Sequence, residues 1–159
     1  MIPNGSDYLN YENLLIESEN QNLIVKEKDL PGYKGRIYKN RVAIRRNLST
    51  TEKACVLAEE LGHHYTTVGN ILDQSKAENR KQERRARLWA YRKMFDLIDL
   101  VSAYKYGCRN RYEVAEYLGV TEQFLEDALH TYREKYGLYV KIDRYMICFD
   151  PLTVGEICE

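Results

Sequence analysis

Glu59, Glu60 and His63 stand within five residues, and His64 follows at once. Glu59 and His63 are four apart, so on a helix they project from the same side about one turn from each other. In the metalloprotease pattern H-E-x-x-H the first and last positions bind zinc and the second is the general base. Here the letters are Glu59-Glu60-Leu61-Gly62-His63, with glutamate where that pattern has its first histidine. A bare E-E-x-x-H is weak evidence, because Glu-rich helices are common. Its setting strengthens it, since buried ionisable groups are expensive unless paired or bound to metal.

The element that must carry these groups starts at a capping box. Ser49 is placed to accept from the backbone N–H of Glu52, whose carboxylate can reach back. Ala54, Leu57, Ala58 and Leu61 then fall on one face, the spacing of a core-facing helix. Cys55 and Val56 make its start apolar on other sides too, as in a helix surrounded by protein. After a break at Thr66–Asn70, a second long helix is expected from about Lys76 to Tyr104. Its inward stripe is Ala86, Ala90, Met94, Leu97 and Val101, and three residues before Ala86 that line meets Glu83. A carboxylate near a helix end can simply reach water. With Glu59 and His63 also pointing inward, a third metal ligand from a second helix is the better account. The outer face carries Arg80, Lys81, Arg84, Arg85, Arg87, Arg92 and Lys93, which reads as a solvated face.

Around these helices, residues 1–20 read as an amphipathic helical lead-in, with Leu14, Leu15, Tyr11 and Ile16 on its apolar side. Asn22–Lys26 is a short strand, and Lys34–Asn47 a β-hairpin turning near Lys39-Asn40. From Arg111 to Leu125 the chain follows a helix-turn-helix pattern: Ala115, Gly119 four later, Leu125 six beyond. A DNA-reading helix should offer Arg, Lys, Gln, Asn or Ser. This one offers Glu122, Gln123, Glu126 and Asp127, and three carboxylates repel a phosphate backbone. Protein docking or packing is the expected use of this pair, and direct DNA binding by it is the poorer account. Gly137–Asp150 closes the chain as a second hairpin, turning near Asp143-Arg144 and ended by Pro151.

The 159 residues suffice for one domain with a real core, read as 1–105 with an appended 106–159 packed on it. Formal net charge is zero, so gross charge implies no polyanionic partner. No apolar run approaches the roughly 20 residues that span a bilayer, and Met1–Tyr8 lacks the look of a signal peptide. Four dispersed cysteines (Cys55, Cys108, Cys148, Cys158) without a C-x-x-C pair suggest reduced thiols and a cytoplasmic setting.

With Glu59-Glu60-Leu-Gly-His63 preceded by a hairpin and followed by Glu83-Arg-Arg-Ala86-Arg-Leu-Trp89-Ala90, the chain resembles the ImmA/IrrE metallopeptidases over roughly residues 30–105. In that family one helix carries H-E-L-G-H, and a second carries a pattern like E-x-x-A-x-x-F-A whose glutamate is the third zinc ligand. The resemblance implies an α+β fold with a zincin-like helical core, a small N-terminal sheet, a helix-turn-helix-like pair and a C-terminal hairpin. It implies His63 and Glu83 as ligands and Glu60 as base, with Glu59 at a ligand position under a different letter. It also implies a phage, mobile-element or stress-response setting and a helix-turn-helix repressor as protein substrate.

Zinc accepts carboxylate oxygen, so Glu59, His63 and Glu83 remain a possible three-ligand set. A second anionic ligand would weaken the Lewis acid and favour harder metals such as manganese. Two alternatives stay open: His64 turning in as a nitrogen ligand, about 100° round the helix from His63, or a metal-free relic whose carboxylates pair with His63 or Arg84. Beside the peptidase stand a non-catalytic repressor-binding regulator and a DNA-binding module using the arginine-rich helix face.

Overall fold

The computed structural model describes residues 9–67 and 76–158. It is a mixed α+β chain whose described residues divide into two compact units, one from Leu9 to Lys93 and one from Met94 onward. No helix among the described residues is long and apolar enough to cross a membrane.

The first unit opens with α1 (Tyr11–Asn20), capped by Asn10, whose side chain accepts from Asn13 N–H at 2.9 Å. Residues 1–8 of the expected lead-in lie outside the described residues. Leu14 and Ser18, four apart, share the buried face, and Ser18 Oγ donates to Leu14 C=O at 2.7 Å. Ile16, two residues round the helix, is 53% exposed and does not join the apolar side expected for it.

Three strands follow: β1 (Ile24–Lys28), β2 (Gly35–Tyr38) and β3 (Arg41–Arg45). The expected hairpin is β2–β3, turning at Lys39, which takes a left-handed φ of 54°. β1 adds to the far side of β3 in parallel, Ile24 against Arg41 through Lys28 against Arg45, giving the order β1-β3-β2. Alternate residues of the central strand, Val42 and Ile44, are buried, as a half-covered sheet requires. The cover is α2 (Thr50–Thr66), which packs on β2, β3 and α1.

Helix α3 (Lys76–Met94) completes this unit. The single long helix expected from Lys76 to Tyr104 is in fact two, because the chain breaks at Phe95-Asp96 and restarts as α4 (Leu97–Tyr106). Asp96 causes the break: its carboxylate accepts from Ile98 and Asp99 N–H, and Asp99 reaches back to Asp96 N–H at 2.9 Å. That capping box gives the backbone an alternative to helical hydrogen bonds.

In the second unit α5 (Arg111–Leu118) and α6 (Glu122–Tyr136) form the expected helix-turn-helix-like pair. Gly119 makes the turn at φ 71°, and Ala115 and Leu125 are buried in the crossing. Tyr132 is buried too, donating to Phe95 C=O at 2.8 Å. The C-terminal hairpin β4 (Tyr139–Ile142) and β5 (Tyr145–Phe149) turns at Asp143 as expected. Pro151 does not end the sheet: a third strand, β6 (Leu152–Glu156), pairs antiparallel with β5. A proline at the head of an edge strand withholds no ladder hydrogen bond that the sheet needs.

Candidate metal centre

Helix α2 begins as its residues dictate. Ser49 Oγ accepts from Glu52 N–H at 3.1 Å, and Glu52 accepts from Ser49 N–H at 3.0 Å. From there Ala54, Leu57, Ala58 and Leu61 are fully or almost fully buried, as are Cys55 and Val56. The helix is therefore held on several sides, and its last two turns present Glu59, Glu60 and His63 where they are half-buried.

What brings α3 against those turns is a glycine. A Cβ on Gly62 would run into the carbonyl oxygen of Ala86 and stand 3.0 Å from its carbonyl carbon. The backbones of α2 and α3 thus touch at Gly62 and Ala86, closer than any side chain at position 62 permits. Next to this crossing, His63 Nε2 lies 3.6 Å from Glu83 Oε2. Arg87, one turn further along α3, approaches the other Glu83 oxygen at 3.5 Å.

The histidine–carboxylate separation is informative. It is too long for a hydrogen bond. Two donors of a tetrahedral zinc ion, each about 2.0–2.1 Å from the metal, stand about 3.4 Å apart. His63 and Glu83 are spaced as two ligands of one ion would be, so this donor pair fits a metal. Among the described residues, however, no three His, Cys, Asp or Glu side chains are gathered closely enough to hold one.

Glu60 is strongly altered by its surroundings. Burial, then the neighbouring Glu59 and Glu83 carboxylates, push its pKa up to about 7. One wall of its pocket is main chain: a Cβ on Gly35 in β2 would clash with Val56 and stand 3.0 Å from Glu60 Oε1. The strand lies directly over the carboxyl.

Among the expected site residues, the structure brings His63 and Glu83 into contact and sets Glu60 within electrostatic reach of Glu59 and Glu83. Glu59 acts on Glu60, but among the described residues no three-donor group containing it is formed. His64 is exposed, its ring edge-on to Tyr65 at 5.1 Å, and Tyr65 in turn stacks on Trp89 of α3 at 4.8 Å. Lys93 departs from the solvated face expected of it: it is half-buried over Trp89 and pairs with Glu17 at 2.7 Å. Gly35 and Gly62 are the positioning residues that spacing arguments pass over, whereas Ala86 lay on the expected inward stripe. The signal for one of them was a glycine in the middle of a helix, where it is normally unfavourable.

The profile described as the IrrE N-terminal-like domain of the M78 peptidases matches residues 17–130 of the 159. No curated protein and no solved structure matches the chain. The match takes in α2, α3 and the sheet that covers Glu60, and on it the chain belongs to the ImmA/IrrE family of metallopeptidases.

Proposed function

We propose that the chain is a metal-dependent endopeptidase that cuts a helix-turn-helix repressor, in the cytoplasm and in the setting of a phage or mobile element. The observation that carries this function is His63 beside Glu83 with the half-buried Glu60 next to them. His63 and Glu83 would hold the ion, with Glu59 as third donor from the same helix. Zinc, or a harder cation such as manganese, supplies Lewis acidity there when bound. Glu60 accepts the proton of the attacking water and returns it to the leaving amine, a role suited to a carboxyl whose pKa is near neutral. Gly35 leaves main chain alone beside that carboxyl and so shields it from water on one side. The test is elemental analysis of the purified protein beside a Glu59→His variant, with cleavage of the repressor encoded next to it as readout. Metal in both proteins and loss of cleavage in Glu60→Gln, with folding intact, support the proposal. Cleavage retained in Glu60→Gln removes the base from the mechanism.

Two observations favour a second reading, a non-catalytic regulator. Glutamate stands where the family has histidine, and Arg87 already approaches Glu83. In that case the exposed Glu122, Glu126 and Asp127 of α6 are the repressor-binding surface. Charge reversal at Glu122 and Glu126 then weakens partner binding, whereas Glu60→Gln changes nothing in a reporter assay.

A further inference from the structure

The N-terminal sheet buries one face against α2 and leaves the other open. Strand alternation puts Ile24, Lys26 and Lys28 of β1, Arg36 and Tyr38 of β2, and Arg41, Ala43 and Arg45 of β3 on that open face. It carries five cations and no carboxylate at its strand positions, in a chain whose net charge is zero. Pairing arranges them in rows. Ala43 lies between Lys26 and Arg36, and Arg41 between Ile24 and Tyr38.

A small residue flanked by two long ones makes a hollow, here about 310 Å³ with Ala43 on its floor. Lys26, Lys28, Arg36 and Arg41 all line it, and none of the four forms an ion pair with a carboxylate among the described residues. Beside them Tyr38 is 70% exposed, with Lys39 Nζ 5.5 Å from the centre of its ring, a further cation next to the stacking surface. Arg36 lies over the ring of Tyr33, at 5.7 Å from its centre.

From this face we infer that the sheet binds single-stranded nucleic acid. Unpaired cations in a groove recruit phosphates, and an exposed tyrosine ring beside them offers a stacking surface to a base. Stacking on Tyr38 needs an unpaired base with its π-face free, so a duplex is disfavoured. A merely acidic protein segment would use the cations and leave the ring idle. The hollow has the size of a small-ligand site, roughly 300 Å³ and upward, room for one nucleotide unit of the strand. No residue of α6 lines this hollow, and the inference does not depend on the peptidase proposal.

The test is fluorescence anisotropy of a labelled oligothymidylate with the whole protein, over a range of salt. Four phosphate contacts give a slope of log K against log salt of about −3. Tyr38→Ala weakens binding roughly five- to a hundredfold. Lys26→Glu combined with Arg36→Glu weakens it by at least about tenfold. Both variants change exposed side chains and should keep the parent circular dichroism and melting temperature. The inference is overturned by no binding at low salt, by equal affinity for polyglutamate with no effect of Tyr38→Ala, or by loss of binding only when Arg84 and Arg85 on α3 are reversed. A duplex bound more tightly than the single strand also overturns it.

Discussion

Gly62 of α2 and Ala86 of α3 touch main chain to main chain, and the His63–Glu83 contact lies beside that crossing. The geometry of the centre is set by the absence of a side chain rather than by the chelating groups themselves. Gly62→Ala should force the helices apart against backbone that cannot yield. A loss of about 1–3 kcal/mol is expected, although alanine is the better helix former. Urea unfolding of the variant checks it. A more stable Gly62→Ala protein would show that the helices do not approach this closely.

Glu60 makes stability depend on pH. Its folded-state pKa of about 7 lies above the ordinary value near 4.5. Between those values the folded chain keeps a proton that the unfolded chain has lost, so metal-free protein loses stability as pH rises through that window. The loss is at most about 3 kcal/mol and levels off above neutrality. Glu60→Gln should flatten this slope and be more stable than the parent at pH 8, but not at pH 4. Unfolding midpoints in the presence of a chelator give both comparisons, and a parent with no slope would contradict the assigned environment.

The Glu59→His change should tighten metal binding whether or not the parent is active. Zinc at a hundred times its dissociation constant stabilises a folded protein by about 2.7 kcal/mol. A zinc-dependent rise in melting temperature is therefore expected to be larger in Glu59→His than in the parent. No zinc-dependent shift in the variant would mean that position 59 does not reach the His63–Glu83 pair.

Asp96 can be tested without reference to function. Asp96→Ala removes the acceptor for Ile98 and Asp99 N–H and should cost about 1 kcal/mol. Asp99→Asn, which can still accept and donate at the same place, should cost less. Equal stability of Asp96→Ala and the parent would leave the helix break without its cause.

The parts of this fold legible in sequence are those fixed by neighbours in the chain. Ser49 and Glu52 announced α2, Lys39-Asn40 and Asp143 the two hairpin turns, and Gly119 the turn between α5 and α6. The parallel addition of β1 to β3 joins residues 17 apart, and nothing local in either strand encodes that partnership. The break at Asp96 had a local signal, an aspartate three residues before another. The apolar stripe running through it to Val101 masked that signal. At the centre, the i, i+4 spacing gave the direction of Glu59 and His63 and the stripe gave that of Glu83. Helical phase fixes direction, not depth, so the contact of Glu83 with His63 was readable in outline. The same spacing named Glu59 as third donor, and among the described residues no three-donor group is gathered there. The cationic hollow was invisible for a further reason: its residues come from three strands, and no window along the chain contains them together.

In β2, Gly35 faces Glu60 while Arg36, the very next residue, faces the open side. A strand is one peptide thick. One wall of the hollow and the ceiling of the carboxyl are thus the same ribbon, and any tilt of it imposed from one side is felt on the other within a single residue.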